Sequence, residues 1–337
     1  MHGMGWTVKG HDWAVEMLQQ HVLRGAVRHA YLFTGAPGVG RRTLALNFTQ
    51  ALNCTSPPHP GDFCGTCRTC RLIERMQQPD LTVVLPEQAG GTIKVEQVRE
   101  LQHTLSLSPY ESKYRVALLL NAEAATVSAQ NALLKTLEDA PEKVILLLTT
   151  DSAENLLPTI TSRCEVLRLR PLRVVALVEL LQSEYRLPPE EARRLAHLSG
   201  GRLGTALHMQ QDPAHLQHFR EQVETLLSLL PANKVQRFAF ANQFRQTDTR
   251  DVARQTLQTW LLFWRDVLLT VLQAQVPLVC LEWQQQVNTL AGQLGAGQAQ
   301  QLVNGLEQAI HDLDSTNVNA QLQVEVLLLD LPRLRLQ

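Results

Sequence analysis

Nine consecutive residues, Gly35-Ala36-Pro37-Gly38-Val39-Gly40-Arg41-Arg42-Thr43, have the frame of a phosphate-binding loop without its most reactive contents. In the working pattern G-x-x-x-x-G-K-[ST], glycines let backbone N–H groups wrap the phosphates, the lysine reaches the β and γ phosphates, and the hydroxyl holds Mg²⁺. Arg41 occupies the lysine position and Arg42 the hydroxyl position, with Thr43 one residue late. Gly35, Gly38 and Gly40 are therefore expected to keep the shape of the cradle, while Arg41, Arg42 and Thr43 are not expected to carry out its chemistry. A phosphate-loop ATPase also ends its second core strand with acidic residues that hold Mg²⁺ through water. Here Leu118-Leu119-Leu120 runs into Asn121-Ala122-Glu123, so no carboxylate sits at the strand tip. Glu123 comes two or three residues late, around the turn, and reads as a solvated side chain.

The second constellation is Cys54-x9-Cys64-x2-Cys67-x2-Cys70. Four soft thiolates at two overlapping Cys-x-x-Cys spacings suit a closed tetrahedral zinc site, which is structural because it leaves no open position. His59 is an alternative fourth ligand in place of Cys54, but Cys54 stands where the preceding helix should end. Four unrelated thiols are the other alternative. A base-reading zinc module fits poorly, because Arg68, Arg71 and Arg75 are offset by Asp62 and Glu74 and no helix of base-reading polarity is expected within the loop. Cys164 and Cys280 stand alone and read as small core hydrophobes.

These residues need elements to hold them. Ala30-Tyr31-Leu32-Phe33 reads as a strand entering the loop, and Leu44, Ala45, Phe48 and Leu52 recur at helical spacing after it. An earlier helix carries a stripe of Trp13, Ala14, Met17, Leu18, Val22 and Leu23, closed by Gly25. Leu81 to Leu85 is expected as the next strand, ended by Pro86 and a Gly90-Gly91 turn, with Val95, Val98, Leu101 and Leu105 on the helix behind it. Arg115 to Leu120 and Val144 to Leu148 are apolar runs of the kind covered on both faces, separated by a helix from Ser128 to Asp139. This alternation implies a parallel α/β sheet with its ligand site at the carboxyl ends of the strands.

From about Pro171 the chain reads as helical, with segments near 174–185, 190–197 and 203–209. Asp212-Pro213 marks a boundary, beyond which apolar stripes such as Phe219, Val223, Leu226, Leu227 and Leu230 line long helices. With 337 residues, 45% hydrophobic and 19% charged, the chain can bury two or three cores. A net charge of −1 gives no global basic field, so any nucleic-acid contact needs a local face. No charged n-region leads into an apolar h-region, and Trp260-Leu261-Leu262-Phe263-Trp264 is cut short by Arg265-Asp266. Cys-x-x-Cys spacing in a long chain with no export signal agrees with a soluble, cytoplasmic protein without membrane contact.

The strings Asn131-Ala132-Leu133-Leu134-Lys135-Thr136-Leu137-Glu138-Asp139, Leu147-Leu148-Thr149-Thr150-Asp151 and Leu157-Pro158-Thr159-Ile160-Thr161-Ser162-Arg163-Cys164 closely resemble the bacterial clamp loader branch of the AAA+ ATPases. The cysteines after the phosphate-loop helix look like the zinc module of those loaders. The resemblance is firm from about residue 10 to 210, and Trp260 to Asp266 extends it more loosely. It implies an α/β plus all-α chain: an AAA+ core over 1–170 with the zinc module at 54–70, a helical lid over 171–212, and a helical collar over 213–337 that joins neighbours into a pentameric ring. It further implies a subunit of the DNA polymerase III clamp loader, acting with gamma/tau and delta subunits to place a sliding clamp on primer–template DNA.

In that branch the arginine of Ser162-Arg163-Cys164 is an arginine finger, which would reach the γ-phosphate of ATP bound by the next subunit. Taken without the surrounding strings, Arg163 reads as a surface arginine in an ion pair. Thr150 matches the sensor position after the third core strand, and the lid's phosphate-sensing arginine falls on Gly204, with Arg202 two residues away. The altered loop, the bare strand tip and Gly204 select, within the branch, a subunit that does not turn over ATP in its own site. The alternative is an active gamma/tau-like ATPase in which Arg41 replaces lysine and Thr43 binds Mg²⁺.

Overall fold

The computed structural model describes residues 5–88, 91–246, 249–315 and 318–334. The chain divides into two compact units, Met1–Leu172 with Arg202–Thr205, and Arg173–Gly201 with Ala206–Gln337. Among the described residues no helix is long and apolar enough to cross a membrane.

The first unit is built on five parallel strands: β1 (Ala30–Thr34), β2 (Leu81–Val84), β3 (Arg115–Leu119), β4 (Val144–Thr150) and β5 (Glu165–Arg168). They lie in the order β2-β3-β4-β1-β5. Leu32 of β1 pairs in register with Leu148 of β4 on one side and Val166 of β5 on the other. Strands β1, β3 and β4 are buried along their whole length, which is why they read as unbroken apolar runs. Period-two alternation then sorts their side chains between two cores. Tyr31, Phe33, Val116, Leu118, Ile145 and Leu147 face one, and Ala30, Leu32, Ala117, Leu119, Leu146 and Leu148 face the other.

Among the described residues, six helices cover this sheet: α1 (Asp12–Leu23), α2 (Arg41–Asn53), α3 (Arg68–Glu74), α4 (Val95–Leu105), α5 (Val127–Glu138) and α6 (Pro158–Thr161). Leu44, Phe48 and Leu52 of α2 enter the first core, where the Phe48 ring meets Tyr31 edge-on with centroids 4.9 Å apart. Val98, Leu101, Leu133 and Leu137, from α4 and α5, enter the second. The stripe on α1 is narrower than its spacing suggests: Ala14 and Leu18 are buried, but Trp13 and Leu23 are exposed. The short strand β5, Glu165-Val166-Leu167-Arg168, lacks a long apolar run and is not evident in the sequence. In the expected turn after β2, Gly90 lies outside the described residues.

The segment joining α4 to β3 is pinned by Asp80, which is buried just ahead of β2. Its carboxylate accepts the N–H groups of Tyr110, Glu111 and Ser112 at 2.6, 2.9 and 2.9 Å and pairs with Arg115 at 3.2 Å. Burial works to raise this carboxyl, but the three backbone donors hold it below the ordinary carboxylate value.

The second unit is helical: α7 (Val174–Ser183), α8 (Pro189–Leu198), α9 (Leu203–Gln211, whose first residues belong to the sheet unit), α10 (Pro213–Leu229), α11 (Lys234–Ala241), α12 (Arg250–Val271), α13 (Gln284–Gln293), α14 (Ala296–Ser315) and α15 (Ala320–Asp330). The long α12 packs on α10, α13, α14 and α15 and buries Trp260, Phe263 and Trp264. The buried Arg237 of α11 donates to the carbonyls of Leu229 and Leu230 at the end of α10, and to those of Leu328, Leu331 and Pro332 at the end of α15. A cation there satisfies carbonyls that a helix C-terminus leaves unpaired.

Candidate nucleotide cradle, cysteine cluster and surface arginine

The loop between β1 and α2 keeps its glycines for conformational reasons. Gly35, Gly38 and Gly40 have φ of 143°, 84° and 109°, values that side-chain-bearing residues rarely adopt. Gly40 is the N-cap of α2, so the helix begins at Arg41, as an anion-binding loop requires. The carbonyl of Val39 lies 2.9 Å from Nε2 of His11, a buried residue at the N-cap of α1. Burial lowers the pKa of His11, and the bond to Val39 opposes that shift. His11 thus braces the loop, a role that Gly10-His11-Asp12 does not reveal in sequence.

The side chains of the cradle differ in burial. Arg41 is buried, at 8% exposure, and its Nη1 lies 2.6 Å from Oδ1 of Asp151, just past the end of β4. Arg42 and Thr43 are exposed at the first turn of α2. All three line a cleft of about 620 Å³ together with Asn121 and Gly204. Thr150 is buried and donates its hydroxyl to the carbonyl of Ser152 at 2.9 Å, so this sensor-position side chain is engaged with its own turn.

Glu123 differs from the expectation of a solvated residue. Asn121, with φ 54° and ψ 57°, turns the chain after β3 into a short 3-10 turn over Ala122–Ala124, which carries Glu123 back toward the protein. One of its carboxylate oxygens is buried without a hydrogen-bond partner among the described residues. Its carboxyl is pushed up, first by burial and then by the nearby charge of Asp151, with Thr150 and Arg41 opposing the shift. Arg41, Glu123, Thr150 and Asp151 therefore form one polar group at the carboxyl ends of β3 and β4.

Gly204 has a steric reason to lack a side chain. Its N–H donates to the carbonyl of Gly38 at 2.8 Å. A Cβ at Gly204 would lie 2.9 Å from that oxygen, and one at Gly38 would lie 2.2 Å from the Thr205 hydroxyl. The start of α9 is thus laid directly on the loop between β1 and α2. Arg202, whose proton affinity burial lowers, lies in the segment leading to this contact.

The cysteines converge as their spacing predicts. The sulfurs of Cys54, Cys64, Cys67 and Cys70 all lie within 4.8 Å of one another, and His59 is not among the group. Cys54 ends α2 and Cys67 caps α3. This short helix, starting inside the loop at Arg68, is an addition to the irregular stretch expected there. Backbone N–H groups donate to three of the sulfurs: Cys64 to Cys54 at 3.4 Å, Cys67 to Cys64 at 3.3 Å, and Cys70 to Cys67 at 3.4 Å. These donors favour thiolates. The donation from Cys67 lowers the Cys64 thiol to about 6, whereas burial raises Cys70. Four converging thiols with N–H support can hold a soft metal ion. The loop is also pinned by Trp6, whose indole N–H donates to Gly61 at 3.3 Å and whose ring meets Phe63 edge-on.

Arg163 belongs to neither group. It follows α6, donates from Nη1 to the carbonyl of Thr159 at 2.9 Å, and from Nη2 reaches Oε1 of Glu138 at 2.7 Å. Its side chain is 36% exposed, and that of Glu138 is 52% exposed.

The family profile described as DNA polymerase III, delta subunit matches residues 10–173. A DNA polymerase III subunit delta' of Bacillus subtilis is 30% identical over 256 residues, covering 75% of this chain and 76% of its own. The subunit delta' of Pseudomonas aeruginosa is 37% identical over 217 residues, a match that spans 63% of each chain and so just under two thirds of that relative's length. A solved DNA polymerase III gamma subunit-related protein of Thermotoga maritima shares the fold at 19% identity, with a TM-score of 0.50 over 94% of this chain and 97% of its own. With its AAA+ sheet order, its cysteine cluster and these relatives, the chain belongs to the delta prime-like clamp loader subunits of DNA polymerase III.

Proposed function

We propose that this chain is a clamp loader subunit that does not hydrolyse ATP in its own cradle and supplies Arg163 in trans to the ATP of a neighbouring subunit. The observation that carries the reading is the Arg41–Asp151 pair: the cation at the lysine position is buried and already neutralised within the chain. The bare tip of β3, the exposed Arg42 and the seating of Gly204 on Gly38 support the same reading. On this reading the phosphate loop persists as the joint between β1 and α2, and the cysteine cluster holds one structural zinc.

The residues past 171 act as a lid and, past 212, as a collar within a ring that contains gamma/tau and delta subunits. The ring as a whole engages a sliding clamp and primer–template DNA in the cytoplasm. An arginine finger stabilises charge that develops on the transferred phosphoryl group, and a guanidinium suits this because it stays charged and presents several donors in a plane. The test is turnover of ATP with Mg²⁺ by the purified chain and by the assembled loader. The expected result is none from the chain alone and a strong dependence on Arg163 in the assembly. Sustained turnover by the chain alone would favour an active gamma/tau-like ATPase instead.

A further inference from the structure

Arg163 is attached to its own domain through α5 at two points. At the start of α6, the side-chain oxygen of Gln130 accepts the N–H of Leu157 at 3.0 Å, while Gln130 itself donates to the carbonyl of Ala125 at 3.1 Å. At the other end, Glu138, the last residue of α5, pairs with Arg163 at 2.7 Å. Between them, Ile160 is buried in the core that also contains Leu133 and Leu137. The turn that carries Arg163 is thus fixed to α5 by one buried apolar contact and two polar ones, and only the contact at Glu138 acts on the guanidinium itself.

We propose that Glu138 is a positioning residue for the finger: its carboxylate, with the carbonyl of Thr159, sets the plane of the Arg163 guanidinium before a phosphate arrives. The inference rests on the reading of Arg163 as a finger acting in trans. An arginine side chain free to rotate loses rotamer entropy when it docks on a phosphate, and ordering it beforehand removes that cost from the transition state. Two anchors occupy one N–H each of Nη1 and Nη2. A guanidinium has five N–H groups; Nη1 also reaches Oγ of Ser162 at 3.5 Å, so Nε and the second proton of Nη2 remain for a phosphoryl oxygen. Both partners are substantially exposed, and an exposed pair of this kind contributes little to folding. Glu138 is therefore better explained by where it holds Arg163 than by what it adds to stability.

The experiment compares E138A, E138Q, E138D, R163A and E138A/R163A, each as the full chain reconstituted with the ATPase subunits of the loader. We expect E138A and E138Q to lower the maximal turnover of the neighbouring site by about fivefold, the worth of an ordered exposed ion pair. KM for ATP should be unchanged and the thermal midpoint of the chain should not move. E138D should recover part of the loss, and adding E138A to R163A should have no further effect, because the carboxylate acts only through the arginine. If R163A lowers turnover while E138A leaves it unchanged or raises it, the positioning role is overturned and the finger stands. If R163A itself has no effect, the finger reading falls and this inference with it.

Discussion

Arg41 and Arg163 form ion pairs of nearly equal length, 2.6 Å to Asp151 and 2.7 Å to Glu138, yet burial makes them chemically different groups. Arg41 is enclosed, at the root of a helix and against a loop whose backbone is pinned by His11 and Gly204. Moving it toward a ligand would strip a buried cation of its partner, which is costly in a medium of low dielectric. Arg163 lies at the surface just after a one-turn helix, where solvent can replace Glu138 at little cost. One arginine is committed to the fold of its own chain and the other is available to another molecule.

The largest test of this contrast is R163A in the assembled loader. Turnover at the neighbouring site should fall by about 10³-fold, the lower end for loss of an arginine finger, while the melting temperature of the chain hardly changes. A parallel fall in stability would show that Arg163 is as structural as Arg41. Metal removal comes next. A strong chelator should release about one zinc per chain and render the segment 54–70 sensitive to protease, and cobalt exchange should give the charge-transfer bands of a four-thiolate site. A spectrum showing a coordinated water would contradict the closed site.

D151N is expected to cost about 2 kcal/mol in denaturant unfolding, less than for a fully enclosed pair because Asp151 is 43% exposed. It should leave the chain without ATP turnover, since the Mg²⁺-binding hydroxyl and the strand-tip carboxylate are still missing. Turnover in D151N would mean that the Arg41 pair alone had silenced the site.

The smallest effect concerns Glu123. Its pKa is higher in the folded chain than in the unfolded one, so the folded state binds more protons between the two values. Stability linked to this group is present below the unfolded value of about 4.3 and is lost as pH rises through the folded value. E123Q should therefore stabilise the chain slightly at neutral pH, and the difference from wild type should disappear in acid. Asp80 has the opposite sign, because its pKa is lower in the folded state. Its contribution is present above the unfolded carboxylate value and is lost as pH falls through the folded one, so D80N should destabilise most at neutral pH.

Features carried by local spacing were legible in the sequence. The doubly covered strands, the glycines of the loop and the cysteine cluster each follow from residues close together in the chain, where sterics and period suffice. What escaped depends on partners far away in sequence. That Arg41 stands at the lysine position can be read directly, but its pairing with Asp151 requires β1 and β4 to be neighbours. Glu123 was misjudged because its offset from the strand tip says nothing of the left-handed turn at Asn121 that folds it inward. Gly204 was evident as a missing arginine, but not as a close backbone contact with Gly38. Strand β5 is short, and its outer residues Glu165 and Arg168 are polar, so it lacks the run that identifies the interior strands. On α1, Trp13 and Leu23 show that helical spacing marks a stripe wider than the face actually covered.

The five carbonyls gathered by Arg237 bear on the order in which the molecule forms. The sheet closes when β5 docks beside β1, so every strand of the first unit has been synthesised by Arg168. Arg237, by contrast, must wait for a partner 91 residues further on, at Leu328, before the ends of α10 and α15 can be tied together. Contacts of such long sequence separation form late and slowly. As the chain emerges from the ribosome, the unit that carries Arg163 can therefore be finished while Arg237 still lacks its three acceptors at the end of α15.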